Sequence, residues 1–379
     1  MKITKVEPIW IGSALDVRIT TDEGIVGLGE SGAWGYQDAV EGALKSFSKY
    51  LIGKDPLKIE HHWQYMYRNS HFRGSAVMGA ISAIDIALWD IAGKHLDVPV
   101  YQLLGGKTRD KCRVYVGVPV FPTTEGYIKD MKEKVRQGYT ALGHLAPFVS
   151  ESFTAGISHA KFIKDAADRV GSYREAVGDD VDLCIEIHRQ LEPADAIALG
   201  LEIEKYRPLF YEDPIPPDNF DAMAYVASKI NIPIATGERL MTVYEFQQLF
   251  ARNACQFARV DVCLAGGISV AKKIAGMAEA NYVGVIPHNP LSAVSTAACV
   301  QVDACIPNFS IQERGGWNNY PDAVKTSLKL EKGYLTVPDV PGIGVELIDK
   351  YLDRYPRVSR GIDVRPTLLK ADGSVITAM

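Results

Sequence analysis

The 379-residue chain lacks several features that would place it in a specialised class. It has no block of consecutive Lys or Arg, and its 41 basic residues stand against 46 acidic ones for a formal charge of -5. A phosphate backbone or an anionic membrane would find nothing to grip, so neither nucleic acid nor a membrane is an expected partner. The six cysteines, Cys112, Cys184, Cys255, Cys263, Cys299 and Cys305, include no CxxC pair, which argues against a zinc ribbon or a dithiol centre. Several lie in apolar runs where a thiol packs as a small hydrophobe, and all are read as reduced core residues. No uninterrupted apolar stretch approaches the roughly 20 residues of a spanning helix. Met1-Lys2-Ile3-Thr4-Lys5 leads into a strand-like pattern rather than an apolar signal core, so a soluble, cytoplasmic protein is expected. With 47% apolar and 23% charged residues, and 33 Gly and 20 Pro dispersed along the chain, disorder, collagen and coiled coil are excluded.

Two patterns are present in their place. Ile3 to Ile11, Leu15 to Thr20, the turn Asp22-Glu23-Gly24 and Ile25 to Gly29 predict an antiparallel meander. Val77, Ala80, Ile81, Ile84, Ala87, Leu88 and Ile91 recur at helical spacing between Ser75 and His95, so the opening region, residues 1–112, reads as α+β. From about Cys112 short apolar runs alternate with helical stretches: 114–118, 140–142, 183–185, 209–211, 232–235, 256–258, 283–286 and 309–311. Continuously apolar strands separated by helices imply parallel βα units buried on both faces, and eight of them predict a TIM-type α/β barrel over residues 113–322. Thr242 and Glu245 form a capping box for one connecting helix, and residues 265–280 form another amphipathic helix. Residues 323–379 return to short strands and turns before an irregular tail.

Polar residues stand at the carboxyl ends of six successive runs: Glu186, Glu212, Glu238, Asp261, His288 and Glu313, at intervals of 26, 26, 23, 27 and 25 residues. One βα unit has about that length, so each falls on a neighbouring strand at the face where barrel active sites are built. A lone Glu after a strand is ordinarily a loop residue; the shared register carries the functional reading. Three converging carboxylates repel one another unless a cation joins them, and hard oxygen donors select Mg²⁺ over softer metals. Glu186, Glu212 and Glu238 are therefore read as an Mg²⁺ site with positions left for water and a substrate carboxylate. Asp261 and His288 make a general-base dyad, the carboxylate orienting one ring nitrogen while the other accepts a proton. Taken singly, Asp261 reads more readily as a strand-end cap of the next helix and His288 as a satisfied core or loop histidine; the register with a metal site favours function. His188, two residues beyond Glu186, points the same way if the strand continues, as a second acid or base. Two such groups beside a metal-stabilised enediolate permit β-elimination. Arg73 and Trp317 are weaker candidates for substrate contact, and His61, His62, His71, His95 and His159 are read as structural or solvated.

These residues resemble the mandelate racemase group of the enolase superfamily. The helix signature from Ala80 to Lys94, followed by Pro99-Val100 and Leu103-Leu104-Gly105-Gly106, is similar to that of the group, as are Tyr211-Glu212-Asp213-Pro214, Gly237-Glu238-Arg239-Leu240, Asp261 with Gly266-Gly267-Ile268, and Pro287-His288-Asn289-Pro290-Leu291. The resemblance implies a (β/α)7β barrel, an α+β cap joined by the C-terminal segment, and a homo-oligomer. Its acid-sugar dehydratases, acting on galactonate, gluconate or arabinonate, share the set of His188, His288, Asp261 and Glu313. By that resemblance His288 takes the α-proton, Asp261 orients it, His188 protonates the departing 3-hydroxyl, and Glu313 hydrogen-bonds the substrate carboxylate or enediolate. The product is a 2-keto-3-deoxy acid. Three departures stand out: Glu186 where many relatives carry Asp; Gly143-His144-Leu145-Ala146-Pro147-Phe148 where many carry a catalytic Lys; and Arg189-Gln190 after His188, where Gly is common. His144 is the substitute for the missing Lys, as a substrate contact or a second base. An acid-sugar epimerase or racemase, and a non-catalytic barrel that keeps the metal cage, remain alternatives.

Overall fold

A computed structural model of the chain describes residues 1–148, 156–358 and 372–374. The meander forms as its alternation requires: β1 (Ile3–Ile11), β2 (Ala14–Thr21) and β3 (Val26–Glu30) pair antiparallel in that order. Leu15, Val17, Ile19 and Leu28 are buried beneath α1 (Gln37–Leu51) and α3 (Ser75–His95), while α2 (Ile59–Asn69) packs on α3. By length and mean hydropathy α3 could cross a membrane even though Asp85 and Asp90 interrupt its apolar run, but 83% of that window is buried in the protein. Its apolar residues surround the helix because α3 lies between the cap sheet and the barrel, so it needs no single apolar stripe.

Two carboxylates on α3 dock these layers. Asp90 accepts from the Leu28 backbone N–H at 3.0 Å, the Ile343 N–H at 2.9 Å and Lys94 Nζ at 2.6 Å, joining cap sheet, helix and C-terminal segment. Asp85 accepts from the N–H of Ser269 at 3.0 Å and from its hydroxyl at 2.6 Å, at the N-terminus of a barrel helix. Gly267 and Gly342, at φ 80° and 72°, permit these contacts, since a Cβ on either would collide with the Asp it faces.

The barrel strands are β4 (Lys111–Gly117), β5 (Ala141–Leu145), β6 (Asp182–Glu186), β7 (Phe210–Glu212), β8 (Ile234–Thr236), β9 (Phe257–Ala258), β10 (Gly284–Val285) and β11 (Gln312–Glu313). They are parallel and sequentially paired, and β11 returns to β4. The short α4 (Val100–Leu103) precedes the barrel. Within it, α5 (Thr124–Arg136), α6 (His159–Val177), α7 (Pro193–Ile203), α8 (Phe220–Ala227), α9 (Val243–Ala251), α10 (Gly267–Ala280) and α11 (Ala293–Cys305) each follow a strand, so the described residues form a (β/α)7β barrel. Thr242 caps α9, but Glu245 reaches back to the N–H of Met241 rather than to that of the cap itself. The last strand is split: Phe309 bridges Val285, and only Gln312–Glu313, immediately after the apolar run read from the sequence, pairs with β4. After the barrel, β12 (Val324–Thr326) pairs with β15 (Val345–Leu347), while β13 (Lys329–Glu331) and β14 (Tyr334–Thr336) extend the sheet from the outer half of β4. The chain then returns to the cap, where Arg18 pairs with Asp349 and Gly12 N–H donates to the Tyr355 carbonyl at 3.0 Å. Most of the expected irregular tail lies outside the described residues. All six cysteines are buried and unpaired.

A distinct apolar cluster fills the barrel interior, with one residue from each strand run: Tyr115, Ala141, Cys184, Phe210, Ala235, Phe257, Ile286 and Ile311. Large rings interleave with small side chains, so the layer closes without a pore.

Candidate active site

The period of a strand explains what lies above that layer. Two residues beyond Cys184, Phe210, Phe257, Ile286 and Ile311 stand Glu186, Glu212, Arg259, His288 and Glu313, pointed inward by the same alternation. On β4 and β5 the equivalent positions are Gly117 and Gly143, where a Cβ would collide with His144 and with the Tyr115 ring. Glu186 and Glu212 are register partners, while Glu238, Asp261 and His288 follow their strands by two or three residues. The mouth therefore gathers the six residues that the spacing singled out.

The carboxylates are held by two buried arginines. Arg259, the largest fully buried side chain, donates Nε to Glu212 Oε1 at 2.5 Å and Nη2 to Glu313 Oε2 at 2.8 Å. Arg189 Nη1 contacts Asp213 Oδ2 at 2.9 Å and also Glu238 Oε1. Glu186 Oε1 is buried with no partner, and burial followed by the charge of Glu238 pushes its carboxyl up to about 8. Burial alone would raise Glu238, but His288, Arg189 and Arg259 outweigh it and hold this carboxyl at about 2. Among the described residues no three His, Cys, Asp or Glu side chains already converge as a cation cage. Three acidic oxygen donors on adjacent strands, one with an orphaned buried oxygen, nevertheless fit a hard divalent cation in donor chemistry.

His288 and Asp261, read from the sequence as a dyad, are in contact. His288 Nδ1 lies 2.9 Å from Asp261 Oδ2, and Asp261 Oδ1 accepts from the Cys263 N–H at 2.8 Å, fixing the carboxylate. His288 Nε2 faces Glu238 Oε2 at 3.5 Å. Burial lowers the proton affinity of the imidazole, but Glu238 and then the Asp261 hydrogen bond overcome it, raising His288 to about 10. Gly32 brings the cap against this dyad: its N–H donates to the Cys263 carbonyl at 2.7 Å, and a Cβ would meet Asp261 Oδ1 at 2.8 Å.

The remaining sequence candidates are placed unequally. His188 reaches the mouth by a turn rather than by continued strand: β6 ends at Glu186, and His188 and Arg189 are left-handed at φ 59° and 67°. Burial, then Arg189, lowers His188 to about 4 and leaves it neutral. His144, also left-handed, is half-exposed with Nε2 3.1 Å from Glu313 Oε1. Desolvation lowers its proton affinity, but the Glu313 hydrogen bond and charge raise it further. Trp317 is partly buried after β11, and its indole N–H is enclosed without a partner. Arg73 is exposed and turned onto the cap, donating to Tyr67 OH at 2.6 Å.

Sequence reasoning missed Arg259 and the engagement of Arg189. Arg259 was legible, since it stands two residues beyond Phe257 of the interior layer, as Glu186, Glu212, His288 and Glu313 stand beyond theirs. Asn289 also went unremarked; its N–H donates to Glu313 Oε2 at 2.8 Å.

Comparison with known proteins gives this arrangement a family. Residues 126–351 match the enolase C-terminal domain-like family, and residues 12–105 match the N-terminal domain of mandelate racemase and muconate lactonizing enzyme. The D-galactonate dehydratase of Verminephrobacter eiseniae is 36% identical over 393 aligned positions that cover 99% of both chains. An enolase of Agrobacterium radiobacter, a candidate galactarate dehydratase solved with Na and L-malate, superposes with a TM-score of 0.90 at 32% identity over 100% of both chains. The 3,6-anhydro-D-galactonate cycloisomerase of Zobellia galactanivorans superposes at 0.85, with 30% identity over 94% of this chain and 99% of its own. Cap, closed barrel and mouth chemistry thus coincide with full-length similarity: the chain belongs to the enolase superfamily, in its mandelate racemase and muconate lactonizing enzyme group.

Proposed function

We propose that this chain, an acid-sugar dehydratase of the enolase superfamily, abstracts the C2 proton of an aldonic or aldaric acid and eliminates the 3-hydroxyl to give a 2-keto-3-deoxy acid. The observation that carries this reading is the buried Asp261 and His288 pair, 2.9 Å apart, beside Glu238 in one barrel mouth. Asp261 holds Nδ1, so Nε2 is the atom that takes the C2 proton once His288 is neutral. Glu186, Glu212 and Glu238 would hold Mg²⁺, which when bound supplies positive charge for the developing enediolate. Glu313, clamped by Arg259, Asn289 and His144, presents a fixed carboxylate toward the substrate. His188 protonates the departing 3-hydroxyl, and an arriving anionic substrate raises its proton affinity against the opposing field of Arg189. Trp317 Nε1 and His144 supply donors to the substrate, with Arg73 at the cap side. Atoms balance: C2 loses a proton, C3 loses hydroxide as water, and the enol tautomerises to the ketone.

D-Galactonate and galactarate are the first substrates to test, because relatives of this length and similarity act on or are assigned to them. Proton NMR in D₂O with Mg²⁺ should show loss of the C2 signal and a new C3 methylene. Full turnover by both His288→Asn and His188→Asn would sink the assignment. A second reading rests on His144, a third histidine in the mouth: epimerisation would give C2 deuterium with inverted configuration and no methylene. Exchange at no acid sugar would favour a non-catalytic barrel. The chain is further proposed to assemble as a homo-oligomer, which a purely monomeric sedimentation profile would reject.

A further inference from the structure

Arg189 transfers no proton in the proposed elimination, yet it is placed at a cost. Its guanidinium lies in the interior, with the residue only 3% exposed, and it bridges Asp213 Oδ2 at 2.9 Å and Glu238 Oε1. The chain reaches that position through two consecutive left-handed residues, and Asp213 opposite is left-handed as well at φ 38°. Side chains other than glycine adopt such backbone only where the surroundings enforce it. The two turns are tied together, the Arg189 N–H donating to the Asp213 carbonyl at 2.7 Å.

The charges around it explain the arrangement. Four carboxylates, those of Glu186, Glu212, Asp213 and Glu238, meet two guanidinium groups, and the buried oxygens Glu186 Oε1 and Asp213 Oδ1 remain without partners. Glu238 is contacted at both oxygens, by Arg189 at Oε1 and by His288 Nε2 at 3.5 Å from Oε2. We propose that Arg189 is a positioning residue that serves as the counter-cation of the metal-free mouth, clamping Glu238 to Asp213 and opposing the divalent cation that shares Glu238. The inference rests on the reading of Glu238 as a metal ligand. Nη1 alone reaches both carboxylates, so the position calls for a buried cation that keeps its charge in the interior, which suits Arg. Its fixed charge keeps the acidic mouth folded without metal and weakens the metal when it arrives.

An outer-shell residue that merely supports a ligand behaves in the opposite way, its loss weakening metal binding by roughly 10- to 100-fold. The test is calorimetric titration of the full chain with Mg²⁺ alone, together with thermal melting in EDTA, for wild type, Arg189→Met and Arg189→Lys. Arg189→Met is expected to melt lower in EDTA and to bind Mg²⁺ about tenfold more tightly, reversing the usual outer-shell sign. Arg189→Lys keeps the charge and should remain within about threefold of wild type. If Arg189→Met does not fold without metal, Arg189→Gln, equally neutral but able to hydrogen-bond, is expected to tighten Mg²⁺ binding in its place. Binding that is unchanged or weaker in the neutral variants, with wild type binding normally, overturns the inference alone. Wild-type protein that takes up no Mg²⁺ overturns both this inference and the metal reading beneath it.

Discussion

Two pairs of interior carboxylates, Asp85 and Asp90 on α3 and Glu186 and Glu238 in the mouth, are satisfied in opposite ways. In the cap, both oxygens of Asp85 and of Asp90 are met by backbone N–H groups, a hydroxyl and one lysine. In the mouth, Glu212 and Glu238 face guanidinium groups, and Glu186 keeps an oxygen with no partner. A carboxylate saturated by the fold has nothing left for a ligand and serves to dock layers. One left incomplete retains its capacity for a cation or a substrate. For these four residues the difference separates docking from a capacity to bind, although an open oxygen alone does not mark a site, since those of Asp16 and Asp303 are also buried and unpartnered.

The sharpest way to break this comparison is to remove the base. His288→Asn should lower C2 proton exchange by about 10²- to 10⁴-fold, the usual contribution of a positioned general base, while the thermal midpoint moves little. Deuterium incorporation followed by NMR, alongside differential scanning calorimetry, reads both. A large loss of stability with exchange retained would make His288 another docking residue.

Asp85→Ala should show the reverse. It strips the Ser269 N–H and hydroxyl of their acceptor in the cap–barrel junction, where Asp85 is 1% exposed, and should cost about 1–3 kcal/mol of stability. Chemical denaturation reads this directly, and a change within error would show that the junction does not depend on this carboxylate.

How much of these two regions could be read in the sequence follows from the range of the interactions. The eight strands and six mouth residues were legible because strand alternation and the βα repeat are local periodicities, and Glu186, Glu212, His288 and Glu313 obey them. Arg259 obeyed them equally, and only attention to acidic residues hid it. Asp85 and Asp90 were visible as part of a helix signature but not as docking groups, since the partner of Asp85 lies 184 residues away. His188 reaches the mouth, but not by the strand alternation that succeeded elsewhere. The strand ends at Glu186, and two left-handed residues, which no spacing announces, aim the following side chains. The division of the last strand between β10 and β4 is likewise a product of barrel closure, which no local run encodes.

A smaller effect should separate the regions by pH. Burial raises Asp85 to about 7, against the opposing hydrogen bonds from Ser269. An acid held more tightly protonated in the folded state stabilises fully below its unfolded value near 4, and that contribution is lost as pH rises through about 7. Asp85→Asn cannot titrate, so its stability relative to wild type should increase between about pH 4 and pH 7. Parallel pH profiles for the two proteins would remove Asp85 as the source.

The mouth should respond to metal where the cap responds to pH alone. His288 is raised to about 10 against burial, chiefly by the Glu238 carboxylate and next by its bond to Asp261. A divalent cation held by Glu238 neutralises the larger of these two influences and adds positive charge beside the ring, and both effects favour the neutral imidazole. Histidine ring NMR of the full chain should therefore show His288 titrating at lower pH with Mg²⁺ than in EDTA, while His62, bonded to Tyr50 in the cap, stays in place. The sign matters for catalysis, because only the neutral ring can accept the C2 proton, and the same cation that steadies the enediolate would then bring the base into its working form near neutral pH. An unmoved His288 would mean that Glu238 does not hold the cation, and would confine the metal to Glu186 and Glu212.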